Sequence, residues 1–350
     1  MESRDLGSIG IPIRKRDQVE KQKRTISSYI VQFRELGLLF FILLLAAVVQ
    51  LRNPSFLTWE NINDMMTNTA ILSVLAVGMM LVIITRGIDL SIGATLALSG
   101  MVSAMVVSYY PGIHPLLALL LGTGIGFVCG VGLGFLVARM GILPIIATLG
   151  MMNVFRGFTY LISDGKWVSA HQMPAQFKQL GTGTLFGINH LIWIAIFIYL
   201  IAYYFMSHTR TGRQIYAVGS NPEAARISGI RPDRILWLVY AIMGGLSGMA
   251  GVLWVSKFAS AQGDTASGYE LSVIAACVVG GVSIAGGVGK LSGVLLGAIL
   301  LGIINNALPL INVSAFWQMG IQGSIILAAV LMNAIVKRGV DRNHLMRRKV

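Results

Sequence analysis

Apolar runs long enough to cross a lipid bilayer recur along nearly the whole chain, and they leave it few ways to fold. A backbone inside a hydrocarbon layer ~30 Å thick must satisfy every N–H and C=O internally, which admits helices of about 20 residues or closed barrels. The runs are of helical length, so they predict an all-α integral membrane protein. Ten stand out, at 37–51, 69–85, 90–108, 116–138, 142–162, 188–206, 235–256, 271–284, 291–308 and 314–336, giving about ten transmembrane helices. Composition agrees, with 55% of the 350 residues hydrophobic and only 12% charged. A soluble domain carries about 25% charged residues. The run from 271 is too short to cross unaided and leads into Gly280, Gly281, Gly286, Gly287 and Gly289, so a broken or re-entrant helix is expected there.

Charge sets the orientation. Nineteen of the 27 Lys and Arg residues fall in three places: eight before the first run, five in the loop 207–234 and six after the last run. The excess of Lys and Arg on cytoplasmic segments places all three inside the cell, and an even number of predicted crossings separates each from the next. The chain divides into a basic cytoplasmic N-terminal tail (1–36), a membrane domain (37–336) and a basic cytoplasmic C-terminal tail (337–350). The net charge of +13 is then topogenic. A nucleic-acid partner is excluded because the basic tails lack interleaved aromatic residues and any binding motif. The first 36 residues are too long and too mixed in charge for a signal peptide, so the first span is expected to stay. Cys129 and Cys277 each sit alone in an apolar run, where they pack as small soft side chains.

Within the internal loop, YAVGSNPEAARISGI (216–230) is polar between oily neighbours, and its order of residues is that of a short capped helix. Asn221 suits the cap, Pro222 the first helical position, Glu223 the positive end, Ala224 and Ala225 propagation, and Gly229 a left-handed stop. Two turns are marginal alone in water, so packing must hold them. Either the helix lies on its own bundle or it is a knob offered to a cytoplasmic partner.

The longer stretch GRQIYAVGSNPEAARISGI resembles the cytoplasmic coupling segment of the monosaccharide-importing ATP-binding-cassette (ABC) permeases, the ribose, xylose, arabinose and galactose type within the branched-chain amino acid permease superfamily. Further segments resemble that family in the same order: TRGIDLSIGATLALSG (85–100), LPIIATLGMMNVFRG (143–157), GYELSVIAACVVGGVSIAGGVG (268–289) and GAILLGIINNALPLINVSAFWQ (297–318). The likeness covers nearly everything between 36 and 336. It implies a multi-pass permease subunit in the plasma (inner) membrane of a prokaryote, working beside a second permease copy, identical or paralogous. It also implies an extracytoplasmic sugar-binding protein as donor and a cytoplasmic ABC ATPase docked on the loop 207–234, with Gly219, Asn221, Pro222, Glu223, Ala224, Ala225, Arg226 and Gly229 as the coupling residues. One departure is visible. Members of the family often carry aspartate after GYEL where this chain has Ser272, so nothing that rests on a carboxylate there carries over.

The chain shows no catalytic or metal motif and calls for no cofactor. AGGVGKLSG (285–293) has a Gly-Lys pair, but a phosphate-binding loop needs glycine where Ile284 stands and Ser or Thr where Leu291 stands. ATP hydrolysis is therefore expected on a separate subunit. Glycines recur four apart at Gly126, Gly130 and Gly134, at Gly244 and Gly248, and at Gly293 and Gly297, a pattern that lets helix backbones approach closely. GIDLSIGATLALSG (87–100) and GYELSVIAACVVGG (268–281) align without gaps, pairing Asp89 with Glu270. They form a candidate inverted repeat whose halves enter from opposite faces, or a coincidence of composition.

Candidate residues for a translocation path are Asp89, Ser91, Asn153, Arg156, Glu270, Ser272, Asn305, Asn306, Gln318 and Gln322. Asp89 and Glu270 either cap helices or face the path, and Arg156 either snorkels outward or lines it. The amides either bond a passing polyhydroxylated solute or tie helices together. The reading with most support is the permease subunit of a monosaccharide ABC importer. An ion-coupled secondary transporter would want a carboxylate or His near mid-membrane, and a structural scaffold has no need of a capped cytoplasmic helix. The outer loop 163–187 is expected to meet the binding protein.

Overall fold

The computed structural model describes residues 35–314 and, beyond them, only 317, 320, 321, 323, 324 and 327. Nearly all of both basic tails and most of the expected tenth span, with Gln318 and Gln322, lie outside the described residues. The helices are α1 (Glu35–Arg52), α2 (Trp59–Ile84), α3 (Ile92–Tyr109), α4 (Pro115–Ala138), α5 (Pro144–Ser163), α6 (Ala175–Thr182), α7 (His190–His208), α8 (Arg210–Ser220), α9 (Pro222–Ile227), α10 (Pro232–Phe258), α11 (Tyr269–Val279) and α12 (Leu291–Leu310). Among the described residues, α1 to α5, α7, α10 and α12 are long and apolar enough to cross a membrane. The fold is the all-helical membrane bundle that the apolar runs predict.

One boundary differs. α2 starts at Trp59 rather than near residue 69, because Thr58 caps it by accepting from the Asn61 N–H while Glu60, Asn61, Asn63, Asp64 and Asn68 keep its first turns polar. Hydropathy hides a helix of this kind. Beyond those turns α2 is the axis of the bundle: 94% of its most apolar eighteen-residue window is buried, against 11% for α1 and 22% for α5 and α7. A helix apolar on every side is stable either in lipid or in a core, and α2 takes the core, wrapped by α7, α10, α11 and α12.

The recurring glycines pair as expected. A Cβ on Gly126 would overlap the Gly244 carbonyl of α10, and one on Gly248 would overlap the Gly122 carbonyl of α4, so these two backbones touch. Gly293 and Gly297 of α12 meet Gly280 and Ala276 at the end of α11 in the same way. The loop after α5 is folded onto the bundle: Phe177 of α6 is fully buried, its carbonyl accepts from Ser256 Oγ at 2.6 Å, and a two-stranded hairpin, β1 (Thr184–Leu185) with β2 (Ile188–Asn189), follows.

Candidate functional site

The polar insert forms two helices where one was expected. Ile215 and Val218 are buried on one face of α8, which leaves the membrane helix α7 after a one-residue break at Thr209. Asn221 then ends α8 and caps α9, its Oδ1 accepting from the N–H groups of Glu223 at 3.0 Å and Ala224 at 3.1 Å. Pro222 is the first residue of α9, and Gly229 stops it at φ +80°. The orientation of α9 divides the expected coupling residues between two faces. Ala225 is 4% exposed and seats the helix on its own bundle, whereas Glu223, Ala224, Arg226 and above all Ile227, 83% exposed, face outward. Ile227 carried one signal in the sequence, as the one large apolar residue between Val218 and Ile230 of the polar insert. Beside α9 a cleft of about 500 Å³ is edged by Arg139, Arg226, Arg231 and Arg234, with Asp233 among them.

α8 is joined to the membrane helices backbone to backbone. Gly219 lies so close to the end of α2 that a Cβ would overlap the Ile84 carbonyl, which also accepts from Gly287 N–H at 2.9 Å. Arg86 donates from Nε to the Gly219 carbonyl at 2.7 Å and from Nη2 to the Ser220 carbonyl at 2.6 Å. Tyr216 Oη donates to the Gly289 carbonyl at 2.8 Å, and burial pushes its phenol up. The glycine-rich turn between α11 and α12 is thus one wall of this junction. Lys290, of the false phosphate loop, faces Glu35 at 3.6 Å.

Deeper in the bundle, the starts of α3 and α11 meet: a Cβ on Gly93 would press on the Ala266 carbonyl and on Glu270 Oε2. From that level α3 runs away from the α8 end and α11 runs toward it, ending against the first turns of α12. α3 starts at Ile92 and α11 at Tyr269, out of step by four residues with the alignment of the candidate repeat. Eleven residues make α11 ~16 Å long, about half of a hydrocarbon core. In the chain leading into it, Arg156 donates from Nη1 to the Gly263 and Thr265 carbonyls, each at 2.8 Å. Arg156 pins the segment that leads into α11.

Asp89 is 3% exposed, and its Oδ1 accepts from Ser91 N–H at 2.8 Å and Ser91 Oγ at 2.6 Å. Burial pushes its carboxyl up to about 6, against the opposing pull of the two Ser91 hydrogen bonds. Ser272 is half-buried in α11. Asn153 stands apart on the exposed face of α5, donating to its own helix at Leu149 O.

At the opposite end of α2 the helices splay around a cavity of about 400 Å³ lined by Asn68, Thr69, Leu72, Trp254, Phe258, Tyr269, Gly302, Asn305 and Asn306 among others. The Trp254 ring lies 5.1 Å from Tyr269, edge to face, and 4.9 Å from Phe258. Lys257 Nζ donates to Asn68 Oδ1, and Asn306 pairs reciprocally with Asn61 at 3.0 Å. The structure thus puts Asn305 and Asn306 together with Asn68 and three aromatic rings that residue reading missed, since an aromatic residue in or beside an apolar run carries no signal of the side it faces. Asn68 is sixteen residues along α2 from Ile84, so the cavity and the α8 junction lie ~24 Å apart. Among the described residues no group of three His, Cys, Asp or Glu could hold a metal.

Residues 61–330 match the family model described as branched-chain amino acid transport system / permease component. The ribose import permease protein RbsC of Escherichia coli strain K12 is 40% identical over 297 residues, covering 84% of this chain and 92% of the relative. The corresponding protein of Bacillus subtilis strain 168 is 39% identical, covering 89% of this chain and 96% of the relative. The L-arabinose ABC transporter permease protein AraH of Azospirillum brasilense is 36% identical, covering 85% and 86%. No solved structure matches the chain.

Proposed function

The chain belongs to the family of branched-chain amino acid transport system permease components, as the permease subunit of an ABC importer, and we propose that its cargo is a monosaccharide delivered by an extracytoplasmic binding protein. It is a multi-pass inner-membrane protein and not itself an enzyme; ATP is hydrolysed on a separate chain. The observation that carries the cargo assignment is identity of 36 to 40% with ribose and L-arabinose permeases over more than four fifths of the chain.

Two features of the molecule support a working scheme. α9, capped at Asn221 and seated by Ala225, presents Pro222, Glu223, Arg226 and Ile227 to the ATPase, with the arginine-edged cleft beside it suited to an acidic surface on that partner. In the outer cavity, aromatic rings offer flat apolar faces to the C–H side of a sugar, and Asn68, Asn305 and Asn306 offer amides to its hydroxyls. The sugar's path runs from this cavity past the meeting point of α3 and α11, where Ser91, Glu270 and Ser272 lie, and a second permease copy completes it. Gly219 and Ala225 hold α8 and α9 in place, and Arg156 holds the segment that leads into α11.

Reconstitution with the ATPase and binding protein tests the reading. Labelled ribose, arabinose, xylose and galactose are offered to vesicles with and without ATP. ATP-dependent accumulation of one of them is expected. Uptake driven by an ion gradient without the ATPase would replace this reading with an ion-coupled carrier.

A further inference from the structure

We propose that Arg86 is the positioning residue that locks α8 to the membrane helices, so that a displacement of α9 is delivered to the starts of α3 and α11. The inference rests on the reading of α9 as the helix that docks the ATPase. Arg86 follows α2, outside the insert, at the start of the segment 85–100.

Three observations converge on it. First, its backbone takes φ +66°, a left-handed conformation that suits glycine and is uncommon for arginine. The side chain turns from that corner across the end of α8. Secondly, its guanidinium donates to two consecutive carbonyls, Gly219 and Ser220, which belong to the last turn of α8 and lie immediately before the Asn221 cap of α9. A cation there also complements the negative end of the α8 dipole, and a planar fork grips both oxygens where a lysine would reach one. Thirdly, the corner is braced on its other side: Gly87 N–H returns to the Val82 carbonyl, Gly287 N–H reaches the Ile84 carbonyl, and Gly286 packs against the Arg86 stem.

Movement of the α8–α9 joint therefore has two rigid continuations. One passes through Arg86 to Asp89 and Ser91, three and five residues on, where α3 begins. The other passes through Gly287 and Gly289 to the turn that ends α11. Those two helices meet at Gly93 and Glu270, so the latch connects the docking helix to the level at which the bundle is broken.

The test uses the full permease reconstituted with its ATPase and binding protein. Thermal stability, ATPase co-purification and sugar uptake per ATP hydrolysed are compared for wild type, Arg86→Gly, Arg86→Lys and Tyr216→Phe. Glycine accepts the left-handed backbone without strain, so Arg86→Gly removes the fork alone. It is expected to remain folded and to keep the ATPase while uptake per ATP falls about tenfold, with Arg86→Lys between it and wild type. Tyr216→Phe, which drops only the hydrogen bond to Gly289, is expected to lose about threefold.

Wild-type uptake per ATP in Arg86→Gly overturns the proposal. So does loss of ATPase binding in that variant, which would make Arg86 part of the dock. If Arg86→Gly does not fold, Tyr216→Phe decides, and unchanged coupling there overturns the proposal. Absence of any ATP-driven sugar uptake by wild type would instead sink the docking reading, and the latch with it.

Discussion

The two ends of α2 are built on opposite plans. At Ile84 the contact is backbone against backbone: Gly219 touches a carbonyl, Gly287 donates to the same oxygen, and there is no space for a methyl group. At Asn68 the same helix stands back from α10 and α12 and leaves about 400 Å³ walled by side chains. A backbone contact cannot yield by rotamer change, so it passes on displacement. Side-chain walls can adjust, so they can admit and release a solute. A transporter needs both properties, and here they are separated along one helix by ~24 Å.

The sharpest way to break this comparison is Gly219→Val. Its branched side chain has to displace Ile84 or the Gly287 turn, and overpacking against backbone costs up to about 3 kcal/mol. ATP-driven uptake is expected to fall about a hundredfold, or the protein to lose yield in the membrane. Near-normal uptake and yield would show that the inner junction is loose and that the contrast is false.

The outward face of α9 comes next. Ile227→Glu alters a side chain that touches little of its own chain, so the thermal midpoint should hold while ATPase co-purification drops about tenfold, the size expected of a central interface residue. Retained co-purification would mean that the partner grips another face.

A smaller change is expected at the outer end. Trp254→Ala enlarges the cavity and removes an aromatic face, and the sugar concentration for half-maximal uptake should rise about fivefold with ATPase binding untouched. An unchanged value would assign the cavity to lipid or to the binding protein, and leave only the inner half of the comparison standing.

The smallest effect concerns Asp89. Its carboxyl titrates near 6 when buried and near 3.8 when unfolded, so the folded protein binds the extra proton between those values. This contribution to stability is full below about pH 4 and is lost as pH rises through 6. Asn at this position keeps the acceptor for Ser91 and removes the charge. Asp89→Asn should therefore gain a few degrees of thermal midpoint relative to wild type between about pH 5 and pH 7. A parallel pair of profiles would show that Asp89 is solvated or paired.

Local chemistry was legible. Asn221, Pro222 and Gly229 act through groups within three residues of themselves, so capping and stopping could be read from order alone. The short α11 was legible too, since glycines after Val279 end a helix wherever it packs. The polar first turns of α2 were not, because Glu60, Asn61 and Asp64 look like loop until Thr58 and the folded neighbours satisfy them. Nor was the second helix in the insert, α8, whose apolar face is only Ile215 and Val218.

Sequence alone determined the membrane class and the capped helix between charged residues, because each depends on transfer from water to oil or on hydrogen bonds between near neighbours. Tertiary structure decided that Ala225 faces in and Ile227 out, that Arg86 reaches residues more than 130 positions away, and that Asn68 and Asn305 share a cavity with Trp254 and Tyr269. The reason lies in the solvent. Lipid is as apolar as a packed core, so a membrane helix has no polar face to show which side meets protein, and only the packing of distant backbones settles it.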